Sequence, residues 1–198
     1  MTHPIRFVVT DDLKRSRLTV LFRFPLAVPH LVWATLWWYS ITLLVPFQWL
    51  WALGAGRLEG DVHAFLARYV RYHVHVTAYL LLLANPWPRF NGRPGYPVEL
   101  AVDPPERQRR VGVLLRLVLA VPALVFASVL GVLLAALALA GWFVALVLGR
   151  LPAGIEELGT YCLRYEAQTS AYLLLLTPRY PALSGSATPG APTTTAAG

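Results

Sequence analysis

The chain has 198 residues, of which 57% are hydrophobic and only 14% are charged, whereas an ordinary soluble domain is about half apolar and about a quarter charged. Its 17 Lys and Arg against 10 Asp and Glu give a net charge of +7, and it contains one cysteine. This composition excludes a disordered chain, a disulfide scaffold and a typical cytosolic enzyme, and it predicts an integral membrane protein. Because the basic residues flank long apolar stretches, we expect them to contact anionic membrane lipid rather than nucleic acid.

A shift of 93 residues aligns the chain with itself without a gap. Roughly a third of the aligned positions are identical, which is beyond chance. We therefore predict a first membrane repeat at 1–90, a linker at 91–96, a second membrane repeat at 97–183 and a disordered Pro- and Thr-rich tail at 184–198. The clearest matches are LFRFPLAVPHLV with LLRLVLAVPALV, GRL with GRL, and RYHVHVTAYLLLL with RYEAQTSAYLLLL.

Each predicted repeat begins with a short β-compatible run, PIRFVV in the first copy and YPVELAV in the second. A basic stretch follows it. Next comes an apolar segment of 33 residues without Asp, Glu, Lys or Arg, Phe24–Gly56 or Leu117–Gly149, and about 20 such residues suffice for a transmembrane helix. The repeat ends in a stretch with helical periodicity, which we expect to form an amphipathic helix in the headgroup region. The basic stretches contain Lys14, Arg15 and Arg17, and Arg107, Arg109 and Arg110.

Each apolar segment has two possible arrangements, one long helix or a tight hairpin of two short helices. Single crossings would divide the basic residues nearly equally between the two sides, whereas hairpins would place all 17 on one side, as the positive-inside rule favours. Trp37, Trp38 and Tyr39 lie mid-segment, where a hairpin tip would meet the far interface. We therefore predict a mainly α-helical integral membrane protein of two tandem repeats, each with a short strand, a hydrophobic helical hairpin and an interfacial amphipathic helix.

The candidate functional residues are arginines and tyrosines that are identical in the two copies. Arginine suits a lipid headgroup because its planar fork binds phosphate through two hydrogen bonds. One hypothesis is that Arg23, Arg57 and Arg71 converge on an anionic headgroup, and the alternative is that they only anchor the repeat at the interface. The lipid-headgroup candidates are Arg23, Arg57, Arg71, Tyr72, Arg116, Arg150, Arg164 and Tyr165.

The sequence contains no motif that is typical of hydrolysis, phosphate binding or a metal centre. His73 and His75 form an HxH pattern, but two residues two positions apart face different sides of a helix. Glu166 and Gln168 take their places in the second copy. We therefore predict that the protein is not an enzyme, and we expect neither a metal nor a cofactor.

The repeat resembles a bacterial membrane family called domain of unknown function 4389. The resemblance is carried by LFRFPLAVPHLV and LLRLVLAVPALV, by the GRL that ends each apolar segment, and by the closing AYLLLL and TPRYP. It covers both repeats, and the second copy departs from it with Pro122-Ala123 in place of Pro29-His30. The resemblance implies a multi-pass protein of the bacterial membrane, and it implies no activity and no catalytic residues.

Three functions are open at this point. The leading prediction is a non-catalytic accessory or scaffold subunit of a membrane complex in the bacterial inner membrane, with both termini cytoplasmic. Its partners would be anionic lipid headgroups and other membrane-protein subunits. The alternative is the binding or transfer of a lipid between the two units. A small transporter is less favoured because neither apolar segment contains Asp, Glu, Lys or Arg.

Overall fold

The computed structural model describes residues 5–9 and 17–183. The predicted tail at 184–198 lies outside these ranges, as do Lys14 and Arg15 of the first basic stretch. The structure is mainly helical, and each predicted strand is present at the start of its repeat. In chain order the elements are β1 (Ile5–Val9), α1 (Arg17–Leu21), α2 (Arg23–Ala55), α3 (Gly60–Leu80), β2 (Val98–Val102), α4 (Arg110–Leu148) and α5 (Ala153–Leu173).

The two strands relate the repeats to each other. β1 and β2 pair antiparallel in a register that places Phe7 opposite Leu100. These residues are 93 apart in the chain and therefore occupy the same position in the two copies. An antiparallel pair that is centred on equivalent residues has a local two-fold axis between its strands. The two copies thus face each other across a pseudo-two-fold axis, as the subunits of an isologous dimer do.

Helices α3 and α5 form the buried centre of the fold and run antiparallel to each other. The Leu83 side chain beyond the end of α3 lies close to Gly159 near the start of α5. On α3, the exposed residues form a narrow stripe that includes Asp61, Ala64 and Arg68, and His73 is exposed on another face. The predicted free polar face of α3 is therefore wrong, and the position of these helices in the headgroup region stays a prediction. The reason is that β2 and the linker before it fold back over the polar face of α3.

Helices α2 and α4 pack on the outside of this centre and also run antiparallel to each other. The indole Nε1 of Trp142, near the end of α4, donates to the carbonyl oxygen of Val20 just before α2, at 2.8 Å. At the opposite end, Nη2 of Arg110 donates to the carbonyl oxygen of Gly54 at 2.9 Å. The first residues of each helix therefore lie beside the last residues of the other.

The predicted hairpins are wrong, because each apolar segment is one continuous helix. Helix α2 has 33 residues and α4 has 39. The central residues of α2 contain no cluster of Gly, Pro, Asn or Asp that would turn the chain. The serine hydroxyl groups in the middle of both helices donate to carbonyl oxygens one turn back. Ser40 donates to Leu36 in α2 at 3.2 Å, and Ser128 donates to Leu124 in α4 at 2.8 Å. Helical backbone bonding through the middle of each segment therefore decides the structure, and the charge distribution does not.

Both outer helices are long and apolar enough to cross a membrane. Only 11% of the most apolar window of α2 and 28% of that of α4 are buried inside the protein. Their outward side chains are large and apolar, with Leu43 74% exposed and Val132 73% exposed. A core helix of a soluble protein would bury such side chains. The two helices therefore present apolar surfaces outward that no part of the described chain covers.

Candidate functional site

Two of the predicted headgroup residues, Arg23 and Arg116, are bonded to the C-terminal ends of helices. Nη1 of Arg23 donates to the carbonyl oxygen of Tyr79 at 2.7 Å, and its guanidinium carbon lies 4.3 Å from the centroid of the Tyr79 ring. Arg116 makes both contacts with Tyr172 at the same distances. Because the C-terminal end of a helix carries partial negative charge, a buried cation stabilises it. The two arginines therefore close α3 and α5 in the same way.

The helix ends that these arginines hold have an unusual backbone conformation. Leu82 and Leu175 have φ angles of 62° and 60°, in the left-handed region that glycine commonly occupies after a helix. The N–H of Leu83 donates to the carbonyl oxygen of Ala78 at 2.9 Å, as in a Schellman motif. A left-handed leucine costs about 1–2 kcal/mol. Burial of both leucine side chains offsets this strain.

Arg71 and Tyr72 join α3 to its neighbours. Nε of Arg71 lies 3.0 Å from Oε1 of Glu99 in β2, and it donates to the carbonyl oxygen of Leu100 at 2.9 Å. The hydroxyl of Tyr72 is buried and lies 2.9 Å from Nδ1 of His30 on α2. These contacts fix the sheet and α2 against α3.

The other predicted headgroup residues lie in three different surroundings. Arg57 and Arg150 are exposed directly after the ends of α2 and α4. Arg164 is buried in α5. The Tyr165 ring is also buried and packs edge-on against Phe126 with a centroid distance of 5.0 Å. Only Arg57 and Arg150 are therefore fully open to an external headgroup.

The predicted convergence of Arg23, Arg57 and Arg71 on one headgroup is wrong. Arg23 is the first residue of α2 and Arg57 follows its end. Along a helix of 33 residues, a rise of 1.5 Å per residue separates these two positions by about 50 Å. A single phosphate cannot reach both, so each arginine would have to bind a headgroup independently.

The structure instead contains a cavity of about 580 Å³ between the two repeats. Helices α2, α3, α4 and α5 all line it. Twenty of its 22 lining residues form ten pairs of equivalent positions, such as Leu31 with Leu124 and Thr35 with Ser128. The cavity therefore lies on the pseudo-two-fold axis. We call it the inter-repeat cavity.

Two of the equivalent pairs that line the inter-repeat cavity differ strongly in chemistry. Trp38 of α2 corresponds to Gly131 of α4, and His73 of α3 corresponds to Glu166 of α5. A Cβ atom on Gly131 would lie 3.3 Å from Oε1 of Glu166, so the missing side chain makes room for this carboxylate. Tyr69 also lines the cavity, with its ring centroid 6.2 Å from those of Trp38 and His73. One half of the cavity is therefore aromatic and the other half is acidic.

A comparison with protein-family models matches each repeat once. The model described as "Domain of unknown function (DUF4389)" covers residues 17–91 and 110–184. The chain belongs to the DUF4389 family. The tandem copy predicted from the sequence is confirmed. Neither a search of curated proteins nor a search of solved structures found a match.

Burial shifts the ionisation of the titratable groups that the two DUF4389 copies bring to the inter-repeat cavity. It raises the pKa of the Glu166 carboxyl and lowers the pKa of the His73 imidazole. It also raises the pKa of Tyr69 to about 12. Within residues 19–183, no Lys or Arg lines the cavity and Glu166 has neither a hydrogen bond nor a salt bridge. The carboxylate therefore has no positive partner among these residues.

The residues that line this cavity are not among the site residues predicted from the sequence of the DUF4389 copies. Identity between the copies selects the predicted candidates, and the replacement of His73 by Glu166 counts there only against a metal site. One signal in the sequence does point to the cavity. His73 and Glu166 occupy equivalent positions in the two copies, and both are polar although their surroundings are otherwise apolar. Tertiary packing, which brings the two positions to a common space, is not visible in the sequence.

Proposed function

We propose that this protein binds a lipid-like hydrophobic molecule in the inter-repeat cavity while α2 and α4 cross a membrane. The observation that carries the proposal is the cavity itself, which is mainly apolar and has a few polar groups. Sites for small molecules generally have this composition and a volume of about 300–1,000 Å³. This is the lipid-binding alternative of the sequence analysis, with a binding site between the two units.

The position of the cavity along the outer helices supports a ligand that comes from the membrane. Leu31 and Trp38 lie in the first half of α2, and Leu124 and Gly131 lie close to the middle of α4. If both helices span the bilayer, Trp38 and Gly131 lie near its midplane, and Leu31 and Leu124 lie within its hydrocarbon core. Binding sites of several membrane proteins with internal repeats also lie at the repeat interface near the midplane.

The charge of the cavity favours a different ligand headgroup from the anionic one that the basic residues predict. None of the arginines predicted to bind an anionic headgroup lines it. An anionic lipid placed inside would face Glu166 without any compensating cation. We therefore propose a neutral or positively charged ligand for the cavity, and contact between anionic lipid and the exposed Arg57 and Arg150 remains a separate prediction.

The accessory-subunit function is the second candidate. It is favoured by the outward faces of α2 and α4, where side chains such as Phe47 and Leu50 are about 70% exposed. A neighbouring membrane helix would cover such a surface as well as lipid chains would. Our proposal keeps the protein non-catalytic and in the bacterial inner membrane, and the cytoplasmic position of both termini stays a prediction.

Purification from native membranes in mild detergent, followed by mass spectrometry of co-eluting molecules, tests the binding function. We expect one ligand class to be retained by the unmodified chain. Ser128→Trp places an indole in the cavity and should abolish retention, whereas Val129→Trp, at the next residue and 62% exposed, should leave it unchanged. Equal retention by both variants would contradict the proposal. A stoichiometric protein partner without a retained ligand would favour the accessory function.

A further inference from the structure

We infer that the inter-repeat cavity selects an organic cation, a molecule with an apolar body and a positively charged group held between the aromatic half and the Glu166 carboxylate. The inference rests on the proposed binding function and adds the charge of the ligand. It follows from the differences between the two copies, which give the cavity one aromatic half and one acidic half.

The acidic half supplies the charge. Glu166 lines the cavity and has no hydrogen bond or salt bridge within residues 19–183. A carboxylate in apolar surroundings is unfavourable unless a positive group compensates it. Among the described residues no Lys or Arg lines the cavity, and desolvation lowers the pKa of the His73 imidazole, which favours its neutral form. A bound cation is therefore the group that Glu166 lacks.

The aromatic half supplies a second attraction for a cation. Trp38 and Tyr69 both line the cavity, with their rings 6.2 Å apart and tilted by 34°. The faces of aromatic rings attract ammonium-type cations, and tryptophan does so most strongly. The remaining wall is apolar and suits the body of the ligand. An inorganic ion would not use this wall, so an organic cation fits the cavity best.

The opposite charge does not fit the same space. An organic anion would meet the Glu166 carboxylate, the negative faces of Trp38 and Tyr69, and a neutral His73. A neutral hydrophobic molecule would fill the apolar wall but would leave the carboxylate unpaired. The expected order of affinity is therefore cation, neutral molecule and anion.

The test uses two ions of nearly identical shape and opposite charge, tetraphenylphosphonium and tetraphenylborate. Binding of each to the full chain in detergent is measured by equilibrium dialysis and corrected for uptake by detergent alone. We expect tetraphenylphosphonium to bind at least about tenfold more tightly, which corresponds to about 1.4 kcal/mol. Ser128→Trp should abolish its binding, which assigns the ion to the cavity.

Two pairs of variants test the residues that produce the selectivity. Glu166→Gln should reduce the preference for the cation about tenfold, whereas Glu157→Gln on the exposed side of the same helix should not change it. Trp38→Leu should weaken binding of the cation several-fold, and Trp51→Leu, 57% exposed near the end of α2, should not.

Several outcomes would overturn the inference. Equal or tighter binding of tetraphenylborate, or an unchanged preference in Glu166→Gln, would show that the cavity does not select positive charge. Binding of neither ion would also overturn it. The retained native ligand then decides the proposed binding function separately, because a ligand that Ser128→Trp releases and that carries no positive charge leaves that function intact.

Discussion

The two DUF4389 copies are alike at the arginines and leucines that close α3 and α5, and they differ strongly at two pairs of positions that line the inter-repeat cavity. Arg23 and Arg116 make the same contacts at the same distances, and Leu82 and Leu175 adopt the same strained conformation. In the cavity, in contrast, the two copies place different groups at the same position, the imidazole of His73 in the first copy and the carboxylate of Glu166 in the second. At these positions, identity between the repeats reports on the fold, and under the proposed function the difference between His73 and Glu166 sets the charge of the ligand.

The roles of the shared residues are the opposite of those predicted from the sequence. Residues identical in both copies were expected to bind a headgroup, yet four of them close helix ends or join elements. A cavity on a two-fold axis explains why difference is informative. Two identical halves would offer the ligand two copies of every group, whereas a ligand with one charged end and one apolar body needs unlike halves.

The largest expected effect is a loss of stability on replacement of the buried arginines that both copies share. Arg23→Met and Arg116→Met each remove a charged side-chain donor from a buried carbonyl oxygen, that of Tyr79 or Tyr172, and a cation from a helix C-terminus. We expect each variant to lower the free energy of unfolding by about 3 kcal/mol. Denaturant titration in detergent, followed by circular dichroism, measures this loss.

Exposed arginines at equivalent positions provide the matched controls. Arg57→Met and Arg150→Met should change the free energy of unfolding by less than about 0.5 kcal/mol. If Arg23→Met were as stable as these controls and instead lost lipid, the structural role assigned to the shared arginines would be wrong.

The second prediction concerns acid stability and a pair of residues that differs outside the cavity. His75 is buried against Tyr96, with ring centroids 4.6 Å apart, and burial lowers its pKa from 6.5 to about 4. A histidine whose pKa is lower in the folded state than in the unfolded state stabilises the fold at pH values above its unfolded-state pKa. This stability is lost as the pH falls toward the folded-state pKa. Between pH 7 and about pH 5 the expected loss is about 2 kcal/mol.

A swap between the copies tests this assignment. Gln168 occupies the position equivalent to His75. His75→Gln should remove about 2 kcal/mol of the acid-induced loss, and Gln168→His should steepen the pH dependence. Urea midpoints at the two pH values measure both changes. A His75→Gln variant with the acid sensitivity of the unmodified chain would show that this imidazole is not the group responsible.

The fold was predictable where the signal is local or periodic. The repeat, both strands and the two apolar segments follow from identity at a fixed shift, from strand-forming residues and from length. The position of α3 was not predictable. In a helical projection Arg71 lies on the polar face, which predicts an exposed side chain. Glu99, 28 positions later in the chain, lies in β2 and pairs with it. Long-range pairing of this kind leaves no trace in the periodicity.

The candidate site was less predictable than the fold. Arginine at an apolar boundary is typical both of headgroup binding and of helix capping, and only the distance between Arg23 and the Tyr79 carbonyl separates the two roles. Trp37, Trp38 and Tyr39 were interpreted as the tip of a hairpin. In the structure Trp38 lines the cavity instead, in the middle of a continuous helix.

The smallest expected effect is on stability at Glu166, and it has the opposite sign to the effects above. Burial raises the pKa of this carboxyl in the folded state. Its contribution to stability is therefore present below the unfolded-state pKa of about 4.5 and is lost as the pH rises through the folded-state pKa. Glu166→Gln should therefore stabilise the ligand-free chain at pH 7 and leave it unchanged near pH 4, whereas Glu157→Gln should have no effect at either pH. Thermal unfolding at both pH values measures the difference. A Glu166→Gln variant that is less stable at pH 7 would mean that the carboxylate has a stabilising partner in the chain. The cavity would then not need a cation from outside, and the difference between the copies would belong to the fold after all.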